Sequence, residues 1–298
     1  MPRPHWALRD RPTTKKYRVL LLLFLVAILV GIAVWFVVGQ DWWRRRRRAA
    51  LARQPFPSQW QDWLRTRTSI YARVPPELLP RLQELIRIFV GEKTFVGCNG
   101  LTVTEEMRVV IAAYACLLVT NRPDVPRAHF YDDLFSILVY PTAFVVPHTY
   151  RDGHGVVTEG HRVLSGQAWD SRRIIVSWQD IEDGLATGHN VVLHEFAHYL
   201  DMEDETMDGA PGLGSPRAYR EWSSVFWAEF DRLRAALGAG QPTFLDPYAA
   251  SEPAEFFAVV TEAFFEKPRE LEMQHAGLYE QLRRYYRVDP ARWEAASG

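Results

Sequence analysis

Residues 190–201 read NVVLHEFAHYLD, and the pentapeptide from His194 to His198 within them decides what kind of domain this chain builds. Residues four apart lie one above the other on an α-helix, so His194 and His198 can offer ring nitrogens to a single ion while Glu195 stands beside it. This is the H-E-x-x-H layout of a zinc-dependent hydrolase, in which neutral imidazoles bind the ion and the glutamate acts as general base. Val191, Val192, Leu193, Phe196, Ala197 and Leu200 make the surrounding helix apolar on most sides, which predicts a buried helix. Two histidines and a glutamate buried without partners are costly, and a metal supplies the missing partner. Thr187 or Asn190 is placed to cap the start of this helix, which is expected to end near Leu200 or Asp201. Asp201, seven residues past His194 on roughly the same face, reads as a carboxylate that orients an imidazole.

Taken alone, the pentapeptide also suits an ordinary helix with an i,i+4 histidine pair. Catalytic zinc needs a third protein ligand and one position open to water. The segment that follows, YLDMEDETMDG, holds no histidine, so a glutamate on a second helix is the natural third ligand. Glu252, Glu255 and Glu262 are the candidates, and spacing does not choose among them because Glu255 and Glu262 share a helix face.

The segments HEFAHYLD and YAASEPAEFFAVVTEAFF, with FVGCNGLTVTEEMRVVIAAYACLL, ILVYPTAFVV and SGQAWDSRRIIVSW upstream, resemble the Mlc titration factor A family of zinc-dependent peptidases over roughly residues 77–290. They are more distantly similar to the metallopeptidase domain of anthrax lethal factor. The resemblance implies that the glutamate of AEFF, Glu255, is the third zinc ligand and that a tyrosine seven residues earlier, Tyr248, assists catalysis. The implied chemistry is metal-assisted peptide hydrolysis by an aminopeptidase or endopeptidase carrying one Zn2+ per chain. Glu195 is the implied general base, and Tyr248 the donor to the developing oxyanion. A second role implied by the family's name is a regulatory binding protein that sequesters a transcriptional repressor, with the zinc site secondary.

Outward from the zinc helix, Leu78, Leu82, Leu85, Ile86 and Phe89 recur at helical spacing, and a helix over Glu105–Val119 is expected with Thr104 as its cap. Ser136 to Val146 is β-rich but interrupted by Pro141, which predicts two short pieces or an edge strand. Arg173 to Trp178 reads as a strand, taken as an edge along which an extended substrate adds by backbone pairing. A polar loop is expected between them. Further helices are expected over Arg217–Leu237, from Pro253 to about Glu266, and over Arg269–Tyr286.

At 298 residues, with 48% hydrophobic and 24% charged residues, the chain can bury a sizeable core and is not of disordered composition. The net charge of −1 conceals an asymmetry, because residues 1–53 carry 12 Lys/Arg against 2 Asp. That basic end brackets an uncharged run from Val19 to Val38, so it is read as flanking a membrane helix, and no direct nucleic acid binding is expected. Arg44 to Arg48 behind Trp42 and Trp43 suggest an interfacial anchor against the lipid bilayer and a cytosolic catalytic domain. Cys98 and Cys116 alone form no disulfide framework. The expected fold is therefore α+β, a zincin-like metallopeptidase domain that is mostly helical with a small mixed sheet, preceded by one transmembrane helix. Its expected parts are a basic tail (1–18), the transmembrane helix (19–40), a basic juxtamembrane linker (41–60) and the zinc metallopeptidase domain (61–298). The expected location is single-pass in the inner (cytoplasmic) membrane, and the expected partners are a peptide or protein substrate, the bilayer and a transcriptional repressor.

Overall fold

The computed structural model describes residues 12–35, 39–123, 125, 130–142, 144–151, 157–164, 166–170, 173–204 and 206–293. The chain divides into two compact units, Met1–Ala50 and Leu51–Gly298. In the first, helix α1 spans Pro12–Val34, and α2 spans Gln40–Ala52 and runs into the second unit. The basic tail expected over 1–18 lies mostly outside the described residues.

The expected membrane helix is not borne out: among the described residues, no helix is long and apolar enough to cross a membrane. The physical reason is length. The first turns of α1 carry Lys15, Lys16 and Arg18, and its α-helical span among the described residues is Pro12–Val34. Its apolar part, Val19 to Val34, rises about 24 Å at about 1.5 Å per residue, against about 30 Å of hydrocarbon. Single-pass placement in the inner membrane, the bilayer as a partner, and the cytosolic orientation drawn from the flanking arginines lose their support with it.

The second unit is mostly helical around a small sheet. Helix α3 (Ser58–Arg67) leads to α4 (Leu79–Glu92), which buries Leu82, Leu85, Ile86, Ile88 and Phe89. Strand β1 (Thr94–Gly97) is followed by α5 (Glu105–Leu117), capped by the Thr104 side chain on the Met107 amide. Strands β2 (Ser136–Tyr140), β3 (Phe144–Arg151), β4 (Val157–Leu164), β5 (Gly166–Asp170) and β6 (Arg173–Ser177) come next. Then follow α6 (Trp178–Thr187), α7 (Val191–Asp201), α8 (Pro216–Gly238), α9 (Pro253–Glu266), α10 (Pro268–Gln274) and α11 (Ala276–Tyr286).

The sheet has the order β1-β2-β6-β5, with β1, β2 and β6 parallel and β5 antiparallel to β6. The expected break at Pro141 is present, since Ser136–Val146 forms two pieces, β2 and the start of β3, and the edge reading of β6 fails. β2 is an interior strand, because Pro141 falls one residue past its end and removes no ladder bond. β6 is not an edge: β2 pairs with one side and β5 with the other, so no substrate strand can add there. The sequence of β5, GQAWD, has little β-propensity to announce it. The expected polar loop instead contains the β3–β4 hairpin, which pairs Phe144 with Leu164 and Arg151 with Val157. His154 of that segment lies outside the described residues.

Aromatic side chains hold the two helices that matter most. Phe196 of α7 meets Tyr131 at 5.1 Å and Phe89 at 5.8 Å between ring centroids, and Tyr199 meets Tyr131 at 5.2 Å. Phe256 and Phe257 of α9 pack on Phe226 (4.9 Å), Phe230 (5.5 Å) and Trp222 (5.7 Å). Large edge-to-face aromatic contacts of this kind bury area and fix orientation together. With those faces engaged, the remaining faces of α7 and α9 turn toward each other.

Candidate metal centre

Asn190 is the N-cap of α7, its side chain accepting from the Leu193 amide at 3.0 Å, and the helix buries every residue from Val191 to Asp201. The face turned to α9 carries Asn190, His194 and His198, one turn apart. On α9 the facing stripe is Glu255, Glu262 and Glu266. The helices run antiparallel, as the pairings show: Asn190 Nδ2 donates to Glu266 Oε1 at 2.7 Å, while His194 meets both Glu262 and Glu255 and His198 meets Glu255.

Three donor atoms converge. His194 Nε2 is 3.0 Å from Glu255 Oε2, His198 Nε2 is 3.3 Å from the same oxygen, and the two Nε2 atoms are 3.2 Å apart. The three residues, all buried, form a group able to hold a metal ion. Two imidazole nitrogens and a carboxylate oxygen aimed at one point suit a cation between them, and the residues present fit one. The opposite ring nitrogen of His194 is fixed separately, since Nδ1 donates to Glu262 Oε1 at 2.7 Å. Glu262 Oε2 accepts from the Asn190 amide at 2.6 Å and lies 2.9 Å from His189 Nδ1. His198 Nδ1 is buried with no hydrogen-bond partner among the described residues.

The electrostatics follow from this crowding. Burial works against the His194 imidazolium, but hydrogen bonds with Glu255 and Glu262 outweigh it and hold its pKa well above the usual range. Burial lowers His198, and the neighbouring charge of His194 adds to the effect. Burial pushes Glu255 and Glu262 up, but their imidazole hydrogen bonds win, holding Glu255 well below the carboxylate range and Glu262 at about 2. Glu195 goes the other way: burial, with the charges of Glu255 and Glu262, pushes it up to about 8 against the pull of His194. Its Oε2 is buried without a hydrogen-bond partner among the described residues.

Tyr248 lies in a short 3-10 turn, Pro247–Ala250, that precedes α9, and its ring centroid is 6.4 Å from that of His194. It is 44% exposed, so it stands at the opening of the buried cluster. Glu252 is the exposed N-cap residue of α9, outside the convergent group. Asp201, read from sequence as orienting an imidazole, accepts the Gly209 amide at 2.9 Å through Oδ2. Gly209 takes φ 78°, and a Cβ there would meet Phe226 at 2.4 Å and the Pro253 carbonyl at 2.6 Å, so Asp201 pins the loop against the start of α9. The carboxylate on His194 Nδ1 is that of Glu262. The carboxylate spacing of 7 and 4 on α9, set against Asn190, His194 and His198 at 4 and 4 on α7, was the available signal for Glu262 and Glu266. His189 carried no signal in the sequence at all.

The sequence profile of the family described as glucose-regulated metallo-peptidase M90 matches residues 40–287. The chain belongs to this family. Among the relatives of this chain, the Mlc titration factor A of Yersinia pestis (strain Pestoides F) is 33% identical over 226 residues, 72% of this chain and 82% of its own length. An uncharacterised protein of Synechocystis sp. (strain ATCC 27184 / PCC 6803 / Kazusa) is 42% identical over 270 residues, 89% of this chain and 96% of its own. The resemblance to the titration factor family therefore holds, and membership of a metallopeptidase family agrees with a metal at the group of His194, His198 and Glu255.

Proposed function

We propose that the protein is a zinc-dependent peptidase, with His194, His198 and Glu255 as ligands, Glu195 as general base and Tyr248 as a donor to the developing oxyanion. The observation that carries it is the triangle of 3.0, 3.2 and 3.3 Å between the three donor atoms. A tetrahedral ion with bonds of about 2.0–2.1 Å spaces its ligand atoms about 3.3 Å apart. Zinc bound there supplies Lewis acidity, which acidifies water and polarises a carbonyl.

The chain's own residues do the rest. Glu195, one residue from His194 and basic through burial, takes a proton from the water that attacks the scissile carbonyl carbon. As the C–N bond breaks, that proton passes to the leaving amine, which restores the carboxylate. Tyr248, at the exposed edge of the cluster, donates to the carbonyl oxygen as it gains charge, a contact that counts in the transition state. Glu262 holds the His194 ring with Nε2 turned inward.

A binding role has its support in the name of the Yersinia relative, which speaks of titrating Mlc. A buried Glu195 beside the ligands, its Oε2 without a hydrogen-bond partner among the described residues, favours hydrolysis, because capture of a repressor needs no general base. Glu195→Gln separates the two. The variant is expected to keep its zinc and lower cleavage of fluorescein-labelled casein by about 10²–10⁴-fold; cleavage at the wild-type rate contradicts the reading.

A further inference from the structure

Away from the metal centre, a cavity of about 280 Å³ opens between α8, α11 and the loop that precedes α8. None of the three candidate metal ligands lines it. Clefts that hold small molecules run from about 300 to 1,000 Å³, so this one has room for a ligand at the small end of that range. Pro123, Leu213 and the Tyr285 ring give it an apolar wall. Tyr285 is fixed by ring contacts with Tyr286 at 4.8 Å, Trp222 at 6.2 Å and Phe257 at 6.3 Å.

Its charge runs against that of the chain around it. Residues 54–298 are net acidic, yet Arg122, Arg284 and Arg287 all line the cavity, against one carboxylate among the described residues, Glu221. Glu221 is already shared: Oε1 accepts from Arg217 Nε at 2.8 Å, and Oε2 lies 3.3 Å from Arg284 Nη1. Arg284 Nε donates to Glu280 Oε1 at 2.7 Å, and Arg122 Nη1 lies 3.0 Å from Glu203 Oε2. Arg287 differs, since its guanidinium makes no ion pair among the described residues.

The backbone at Arg287 is costly for an arginine. It closes α11 in the left-handed region at φ 57°, where glycine is the default residue. Its carbonyl accepts from Asn121 Nδ2 at 2.5 Å, which ties the end of α11 to the segment that carries Arg122. The two arginines are thereby held at one cavity from opposite sides of that bond. Three guanidiniums present planar N–H forks, a geometry that matches the several oxygens of a phosphate group.

We propose that this cavity is a binding site for a small organic phosphate, whose phosphate group takes hydrogen bonds from Arg284 and Arg287, with Arg122 adding charge, and whose body rests on Tyr285 and Leu213. The site uses none of the metal-centre residues, so it stands apart from the peptidase reading.

Calorimetric titration of the full zinc-loaded chain tests it, with ribose 5-phosphate, inorganic phosphate and succinate as probes. Ribose 5-phosphate is expected to bind once per chain and more tightly than the other two. Arg287→Ala, which removes an exposed side chain, is expected to weaken that binding about tenfold or more at unchanged melting temperature, and Arg284→Ala to do the same. Arg287→Lys keeps the charge without the fork and is expected to fall between. Because phosphate also ligates zinc, Glu255→Ala is titrated alongside and is expected to keep wild-type affinity. No binding of ribose 5-phosphate at millimolar concentration overturns the proposal, and so does wild-type affinity in Arg287→Ala. Succinate or inorganic phosphate bound as tightly as ribose 5-phosphate assigns the site to a carboxylate or a free ion and overturns it as well. Loss of binding in Glu255→Ala places the phosphate on the metal and overturns it too.

Discussion

Glu262 gives one oxygen to His194 Nδ1 and the other to His189 Nδ1 and the Asn190 amide. A fully buried carboxylate with those partners stays ionised far below its ordinary range, at about 2. Its negative charge raises the basicity of the His194 ring, and its position fixes which nitrogen faces Glu255. Glu262→Gln keeps the shape and removes the charge. Zinc affinity, read by competition with a fluorescent chelator, is expected to fall about 10–100-fold while far-ultraviolet circular dichroism is unchanged. Unchanged affinity would show that the carboxylate contributes packing alone. Sequence spacing brought Glu262 into view as a rival of Glu255 because both share one face of α9. What it could not show was depth along the neighbouring helix, which sends Glu255 to the Nε2 side of His194 and Glu262 to the Nδ1 side.

At the scale of elements, α7 and α9 form an antiparallel pair joined at one end by Asn190 and Glu266 and closed in the middle by the donor triangle. The chain from Glu266 runs on to Ser69, whose hydroxyl donates to Glu266 Oε2 at 2.6 Å, so the start of α7 is tied to the segment after α3. Asn190 does two jobs, capping Leu193 and binding Glu266. Asn190→Ala is expected to lower unfolding free energy by about 1–2 kcal/mol in urea titrations, above what an exposed substitution costs. A loss below about 0.5 kcal/mol would mean that the seam does not depend on this residue. The helices were legible because apolar residues recur at helical spacing in Leu82, Leu85, Ile86 and Phe89, and because Thr104 and Asn190 mark caps. The hairpin β3–β4 and strand β5 were not, since their residues alternate weakly.

Across the whole molecule, the reading of the basic N-terminal end changed most. A run of apolar residues between arginines is a strong one-dimensional pattern, yet no described helix is long and apolar enough to cross a membrane. Hydropathy counts residues along the chain and does not show which of them one described helix carries. The catalytic reading was less exposed to that weakness, because it rests on residue chemistry that two distant parts of the chain must satisfy together: residues 194–198 and Glu255 are nearly sixty positions apart and meet within 3.3 Å. One ion at that meeting point is the central claim. Elemental analysis of purified full-length protein tests it most directly: about one zinc per chain is expected in the wild type, with close to none in folded Glu255→Ala. Zinc retained at wild-type content in Glu255→Ala, or a wild type that takes up none, contradicts it.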